Sequence, residues 1–302
     1  MDKNYLLQQA RLSGIVFIDL RIDYAFKLIF GTPGNEDLLL LLVNAILPGR
    51  NITSVTLEPQ EQVPLRPDAR KSVVDVKCTT GDGSTLIIEM QMKSQGDLSD
   101  RMVFYSSFPI INRLNRGDND SYKLTPIYMI SITDFIIPGI ERNPDMINHY
   151  SIRNNKDNGI EFTKSVNFIT VELPKLKGNL QELKGKDEWI FYTIRNLGAM
   201  KAMPEEYRGS ALEKMFELSK FAAMDTISQE EYIARFKAEM DEKSRLKFAR
   251  EEGIAEGEAK GKAEGIAEER IRMAKRMLAD EMDPVMIAKF TGLSVEDISA
   301  LE

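Results

Sequence analysis

Two short stretches in the first third of the chain alternate hydrophobic and polar residues, a period-two pattern that is typical of β-strands. They run over residues 73–78 and 86–91, and the turn-forming triplet Gly81-Asp82-Gly83 lies between them. Each stretch carries one carboxylate near its middle, Asp75 in the first and Glu89 in the second. The pattern therefore predicts a β-hairpin with an acidic residue in each strand.

The length of the turn decides whether these two acids meet. A two-residue turn would place Asp75 opposite Met90, on an apolar face. A three-residue turn, whose last glycine adopts the left-handed conformation, sets Asp75 opposite Glu89 instead. It also gathers Val74 and Val76 on one apolar face, whereas a one-residue slip would reverse every side chain. We therefore predict the three-residue turn.

Two carboxylates directly opposite each other destabilise a sheet, and a fold that keeps them usually supplies a cation. Mg²⁺ takes oxygen ligands, and Mg²⁺ held by carboxylates can support phosphodiester hydrolysis. The sequence therefore predicts a metal site with Asp75 and Glu89 as ligands. The backbone carbonyl of Met90 is a further candidate ligand, and Asp23 or Glu36 from the N-terminal helices could complete the site.

Three more side chains on the same face of the hairpin are candidates for catalysis. The Gln91 amide could orient a water molecule or a phosphate, although it can neither act as a cation nor transfer a proton. Lys77 and Lys93 could supply the positive charge instead. Exposed hairpins often carry such residues without any catalytic role, so this second interpretation stays open on the residues alone.

The remaining patterns predict helices and strands in an order that fits one mixed sheet. Predicted helices cover residues 19–30, 35–45, 98–116, 179–197 and 204–223. Predicted strands outside the hairpin cover residues 52–57, 125–133, 147–152 and 160–172. Helices, then strands, then helices around a mixed sheet favour an α/β or α+β core.

The character of the chain changes near residue 229, where Glu, Lys, Arg and Ala begin to dominate. This composition predicts a long exposed helix or coiled coil. Within it, glycines recur every four residues: Gly253, Gly257, Gly261 and Gly265. Such a stripe could let a partner helix approach, which would give a homo-oligomer. We prefer a loosely helical linker, because each glycine in a helix costs about 1 kcal/mol relative to alanine.

The last segment, residues 282–301, has the pattern of a small helix-turn-helix. Asp283-Pro284 is typical of a helix start, and Ser294 is typical of the N-cap of a second helix. That second helix, residues 295–301, contains no basic side chain, so packing or oligomerisation is favoured over phosphate contact. We therefore predict a division of the chain into three parts, residues 1–228, 229–278 and 279–302.

Composition narrows the chemistry. The 302 residues include one cysteine and one histidine, Cys78 and His149, which is too few for an intramolecular disulfide or a zinc site. We expect His149 to be a loop residue. The N-terminus lacks a basic segment leading into an apolar stretch. The longest apolar run, residues 38–47, is about half a membrane span. A cytoplasmic location without membrane contact is therefore expected.

The net charge of −7 argues against a nucleic-acid partner, but its distribution weakens that objection. Residues 229–302 contain 18 acidic and 13 basic side chains, so the first 228 residues carry only −2. Residues 101–123 hold a local excess of basic side chains: Arg101, Arg113, Arg116 and Lys123. A positive groove for DNA is therefore permitted.

An ordered set of motifs runs along the chain: Asp23…Phe26-Lys27…Phe30-Gly31, Leu42 to Leu47, Val74-Asp75-Val76, Ile88-Glu89-Met90-Gln91, Arg101 with Tyr105, Pro126 to Phe135, and Thr291-Gly292-Leu293-Ser294. Over about residues 19–301, this set resembles the PD-(D/E)xK nuclease family transposases, also called recombination-promoting nucleases. The resemblance implies a restriction-endonuclease-like αβββαβ core and DNA cleavage that depends on Mg²⁺, for which Mn²⁺ can substitute. It also implies a role in recombination or in the movement of mobile elements.

The resemblance further implies roles for single residues. Asp75 and Glu89 fall on the metal-binding acids of the family, and Asp23 matches an acid of its opening motif. Gln91 falls where the wider superfamily has lysine, and Val74 stands where the motif name has proline.

Together, the residues and the resemblance predict a magnesium-dependent DNA endonuclease. The expected fold is an α/β, restriction-endonuclease-like core, a mixed sheet flanked by helices, with an α-helical C-terminal extension. DNA contacts are expected from Arg101, Tyr105, Arg113 and Arg116. Two alternatives stay open. One is a DNA-binding or oligomerising protein whose nuclease core is weak or inactive, and the other is a toxin-like or defence nuclease regulated by its tail.

Overall fold

The computed structural model describes residues 14–62, 72–94, 96–113, 124–183 and 185–301. The chain divides into two compact units, Met1–Lys237 and Ala238–Glu302. This division falls inside a long helix, later in the chain than the boundary expected at residue 228.

A six-stranded mixed sheet forms the centre of the first unit. Its strands are β1 (Val55–Leu57), β4 (Val76–Thr80), β5 (Thr85–Gln91), β6 (Ile127–Thr133), β7 (Ile147–Arg153) and β8 (Glu161–Glu172). They lie in the order β1-β4-β5-β6-β8-β7. Strand β6 runs parallel to β5 and β8, and the other neighbours are antiparallel. Two short strands, β2 (Glu61–Gln62) and β3 (Ser72–Val73), form a separate antiparallel pair.

Helices cover both faces of this sheet. In chain order they are α1 (Asp23–Phe30), α2 (Glu36–Ile46), α3 (Leu98–Arg113), α4 (Lys186–Asn196) and α5 (Ala211–Leu218). Helix α3 packs on one face, against β6, and the others bury their apolar sides on the opposite face. The predicted class, an α/β fold with a mixed sheet flanked by helices, is confirmed.

The two faces of the sheet bury cores of very different size. The larger core joins the sheet to α1, α2, α4 and α5, and alternate residues of the central strands, such as Val76, Ile88 and Ile130, belong to it. The smaller core lies under α3 and contains Val74, Ile87, Met102 and Met129. Each buried side chain of this size contributes about 1.5–3 kcal/mol, so the larger core carries most of the stability.

The acidic hairpin has the predicted register but not the predicted shape. Val76 pairs with Ile88, and Gly83 has a φ of +81°, as the three-residue turn requires. However, the chain bends at Asp75, between β3 and β4. Val74 therefore packs under α3, whereas Val76 packs in the larger core. The prediction that both valines share one face is wrong.

Three further predictions need correction. The helix predicted over 179–197 begins only at residue 186, and the one predicted over 204–223 is reduced to α5 and short 3-10 turns. Gly209, with a φ of +71°, precedes α5 in a conformation that an α-helix does not contain. His149 is not a loop residue, because it lies on β7 with its Nε2 3.0 Å from Asn167 Oδ1.

Most of helix α6 (Thr226–Ala279) belongs to the second unit. It is a continuous α-helix, and its role as a linker stays a prediction. The four glycines of the stripe lie on it, and no described neighbour would come within 4 Å of a Cβ added to any of them. The stripe is therefore uncovered in the described part of the chain.

The predicted helix-turn-helix follows as α7 (Pro284–Thr291) and α8 (Val295–Ser299). The side chains of Asp283 and Ser294 accept the N-cap hydrogen bonds of these two helices. A small core of Ala274, Ile287 and Ile298 holds them against the end of α6. Among the described residues, none of the helices combines the length and the apolar character needed to cross a bilayer.

Candidate active site

The two predicted acids come together at the bend of the hairpin. Asp75 lies between β3 and β4, Glu89 lies near the end of β5, and each is only 5% exposed. The backbone N–H of Asp75 donates to Glu89 Oε1 (3.1 Å), and the backbone N–H of Met90 donates to Asp75 Oδ2 (2.8 Å). Each carboxylate is thus fixed by the backbone of the neighbouring segment, and the bend leaves both of them buried.

A lysine that the sequence reasoning did not assign to the site contacts this pair. Lys27 of α1 places its Nζ 3.3 Å from Asp75 Oδ1. Its neighbours Phe26 and Phe30 are fully buried and anchor the helix to the sheet. In the sequence, the motif containing Phe26 and Lys27 was the only indication that Lys27 belongs to the site. Helical spacing alone does not show which strand the lysine contacts.

Gln91 extends the polar chain from Glu89 towards α3. Its Nε2 donates to Glu89 Oε2 (3.1 Å), and its Oε1 accepts from Arg101 Nη1 (3.3 Å). The Arg101 guanidinium carbon lies 5.7 Å from the centroid of the Tyr105 ring, within the range of a cation–π contact. Arg101 and Tyr105 are one turn apart on α3, and the hydrogen bond to Gln91 shows that Arg101 is turned towards the site.

Burial shifts the titration of both acids. It raises the pKa of Asp75 to about 6, although the Lys27 ammonium opposes this. Burial, and next the charge of Asp75, raise the pKa of Glu89 to about 8. The two carboxylates therefore lack enough positive charge to be fully ionised together near neutral pH. A divalent cation would favour their ionised forms.

The donor set of this pair fits Mg²⁺ or Mn²⁺. In the described part of the chain, His, Cys, Asp and Glu side chains form no group of three or more arranged for a metal. Mg²⁺ is usually bound through one or two carboxylates, with waters and substrate phosphates filling the other positions. Asp75 and Glu89 supply that number of carboxylates, both hard oxygen donors.

The structure does not bring the other predicted acids into this pair. Asp23 opens α1, and its Oδ1 accepts from the Tyr24 N–H (2.7 Å). Its charge reaches Asp75, whose pKa it raises further, but it joins no described three-acid group. Glu36 Oε2 accepts from the Gly34 N–H instead (2.9 Å).

The remaining predicted residues are distributed as follows. Lys77 Nζ lies 2.9 Å from Glu58 Oε2, which holds the ammonium at β1 rather than at the acids. Lys93 lies two residues beyond β5 and is half-buried. Arg113 is the last residue of α3, and Arg116 lies outside the described residues. Catalytic or DNA-binding roles for these four stay predictions.

A second polar group closes the same end of the sheet. The backbone N–H of Asp134 donates to the Gln91 carbonyl (2.9 Å), so Asp134 is adjacent to the site. Arg21 bridges Asp134 (2.9 Å) and Asp19 (2.7 Å). The Tyr232 hydroxyl, at the start of α6, accepts from the Asp19 N–H (2.8 Å). Sequence reasoning missed this group, because its members are far apart in the chain.

A buried hydroxyl also lies beside Glu89. Ser131 pairs with Glu89 across β5 and β6, it is fully buried, and its Oγ finds no hydrogen-bond partner among the described residues. Gln91, Arg101 and Ser131 line a cavity of about 10 Å³, close to the smallest volume that holds a water molecule.

The fold and these contacts define a class of protein: an α/β scaffold that presents two buried carboxylates and a glutamine on adjacent segments of a mixed sheet. Residues 20–249 match the family model of the PD-(D/E)XK nuclease family transposase. Because this match covers more than half of the chain, the protein belongs to that family, which confirms the resemblance of its motifs.

Residues 267–302 match a second family model, the C-terminal HTH domain of the Rpn/YhgA-like nuclease family. This match confirms the helix-turn-helix predicted at the end of the chain. No curated protein and no solved structure matches the chain.

Proposed function

We propose that this protein is a magnesium-dependent DNA endonuclease that hydrolyses phosphodiester bonds during recombination or transposition. The observation that carries the proposal is the buried pair of Asp75 and Glu89, each held by a backbone N–H of the other segment. Burying two acids with too little compensating charge is unfavourable for folding. A divalent cation bound between the two carboxylates would compensate their charge, and acids with such raised pKa values are typical of functional sites.

In this proposal Asp75 and Glu89 hold Mg²⁺ or Mn²⁺, and the Met90 carbonyl is a further candidate ligand. When bound, the ion supplies Lewis-acid polarisation of a phosphoryl oxygen and a more acidic water. Gln91 orients the attacking water or the phosphate through its amide. Arg101 donates to Gln91 Oε1, which turns the amide N–H group towards Glu89 and the site.

DNA would be held by positive charge along α3 and beyond it. Arg101 and Tyr105 are close to the acids, Arg113 is the last residue of α3, and Arg116 follows three residues later in the sequence. Contacts of arginine with phosphate are sequence-independent and salt-dependent. Lys93 would add electrostatic attraction near the end of β5.

Plasmid nicking in Mg²⁺ tests this proposal. Asp75→Asn and Glu89→Gln keep the shape of the side chains but remove one ligand charge each. We expect each to lower the nicking rate by at least about 100-fold. Glu205→Ala is the matched control, since it removes an exposed acid that pairs with Arg208. Nicking by both site variants at the wild-type rate would exclude the assigned residues.

A second candidate function is DNA binding or oligomerisation on a weak or inactive nuclease core. Two observations favour it: Gln91 occupies the position expected for lysine, and the tail over residues 229–302 is acidic. Calorimetric titration with Mn²⁺ separates the two candidates. An inactive scaffold that binds DNA need not bind Mn²⁺, whereas the proposed nuclease must.

A further inference from the structure

We propose that Lys27 of α1 supplies the positive charge that Gln91 cannot supply on β5. This inference rests on the proposed function. Stabilising a phosphoryl group that gains negative charge requires cations placed before the reaction begins. The ammonium of Lys27 touches an acid of the site directly, at 3.3 Å from Asp75 Oδ1. Arg101 is linked to Glu89 indirectly, because it donates to Gln91, and Gln91 in turn donates to Glu89.

The contact between Lys27 and Asp75 depends on how the end of α1 packs against the bend of the hairpin. The end of α1 lies against the bend of the hairpin, since a Cβ added to Gly31 would lie 3.5 Å from the Asp75 carbonyl, an ordinary contact distance. The same Cβ would lie 2.9 Å from the Lys27 carbonyl of α1 itself. A side chain there would also lie 2.8 Å from Gln60 Nε2. Glycine at this position therefore avoids clashes with the Lys27 carbonyl and the Gln60 side chain where α1 meets the hairpin, and the buried ring of Phe26 fixes the rotation of α1.

The exposure of Lys27 suits a role towards substrate rather than a purely structural one. Asp75 is buried, whereas the Lys27 side chain is 26% exposed. An ammonium carries three N–H donors. One of them can hold Asp75 Oδ1, which fixes the orientation of that carboxylate. Another can point to the solvent side, where a DNA phosphate would arrive.

A lysine swap tests this assignment. The variants are Lys27→Gln, Gln91→Lys and the double variant that carries both changes, which moves the charge from α1 to β5 and preserves the net charge. Each is assayed for plasmid nicking and, by calorimetry, for Mn²⁺ affinity. Far-UV circular dichroism checks that all variants fold. Lys220→Gln is the matched control, because Lys220 forms an exposed pair with Glu217.

We expect Lys27→Gln to lower nicking by about 100-fold. Its Mn²⁺ affinity should stay the same or rise several-fold, because a positive charge next to a ligand repels the ion. The double variant should recover at least about 10-fold of the lost rate, since lysine at position 91 replaces the charge on the neighbouring strand. A residue that only supports the fold would not give a loss of rate without a loss of Mn²⁺ affinity, together with recovery in the double variant.

Three results would overturn the assignment. Nicking by Lys27→Gln within about 3-fold of the wild type would show that the charge is not needed. A fall of rate and Mn²⁺ affinity together, without recovery in the double variant, would reduce Lys27 to a structural contact. A faster Lys27→Gln enzyme would show that the ammonium competes with the metal. Failure of the proposed function itself is distinct, because the wild type would then not nick.

Discussion

Two acidic groups lie at the same end of the sheet, and their negative charge is compensated in different ways. Asp19 and Asp134 share one guanidinium, that of Arg21, at 2.7 and 2.9 Å. Asp75 and Glu89 instead lie against each other, and the ammonium of Lys27 contacts only the edge of Asp75. In the first group both acids pair with one cation, whereas the second group keeps an excess of negative charge.

The pKa shifts express the same difference. The hydrogen bond to Asp19 raises the pKa of Arg21 well above its usual range, so the guanidinium stays charged. Burial raises the pKa of Asp134 as well, and the charge of Arg21 opposes this rise. Burial raises the pKa of Asp75 and Glu89, which makes their ionised forms unfavourable without a further cation. Burial of acidic side chains alone therefore does not indicate a functional site. Burial of two acids beside a single ammonium, which leaves an excess of negative charge, does.

The largest effect on stability is expected in the group of Asp19, Arg21 and Asp134, where one cation serves both acids. Arg21→Ala leaves Asp19 and Asp134 without their shared cation, so it should lower the free energy of unfolding by about 3 kcal/mol. Urea denaturation measures this. Arg208→Ala, which breaks an exposed pair with Glu205, should change stability by less than about 0.5 kcal/mol. Equal effects of the two substitutions would remove the distinction between the networks.

Metal addition should act on the other group alone. Mg²⁺ or Mn²⁺ at about 100 times its dissociation constant stabilises a folded protein by about 2.7 kcal/mol. Thermal unfolding should therefore shift upwards for the wild type and for Arg21→Lys. It should not shift for Asp75→Asn or Glu89→Gln, which lack a ligand charge. A shift of equal size in all four proteins would place the metal elsewhere.

Sequence reasoning succeeded where a local pattern was sufficient. Alternation and the glycine turn correctly predicted the register of Val76 with Ile88. The same alternation failed at Val74, because period two assumes an uninterrupted strand and the chain bends at Asp75. Lys27 could not be assigned from spacing, since its partner lies on a distant segment and the contact depends on how α1 packs.

Glu89→Gln should stabilise the metal-free protein at alkaline pH. The folded pKa of Glu89 is raised to about 8, above the value of about 4.3 for an unfolded chain. The folded state therefore binds the extra proton, and the stability of the wild type falls as the pH rises from about 4 to about 8. Removing the charge should add about 1–2 kcal/mol at pH 8.5 and little at pH 5.

Urea denaturation in EDTA at both pH values measures this gain. Glu205→Gln, an exposed acid, serves as control and should show no such difference between the two pH values. A variant that is less stable than the wild type at pH 8.5 would mean that Glu89 is already compensated, as Asp19 is. The contrast between the two groups would then disappear.

The smallest expected effect is the difference between two hydroxyl side chains on β6, which lie two residues apart at positions 131 and 133. Thr133 Oγ1 donates to the Phe135 carbonyl (2.9 Å), whereas Ser131 Oγ finds no partner among the described residues. Thr133→Val should cost about 1 kcal/mol, because it leaves a carbonyl without its donor. Ser131→Ala should be neutral within about 0.5 kcal/mol, since no protein hydrogen bond is lost. Should Ser131→Ala cost as much as Thr133→Val, a water molecule in the cavity beside Glu89 would be the hydrogen-bond partner of Ser131, and the site would be hydrated beneath α3.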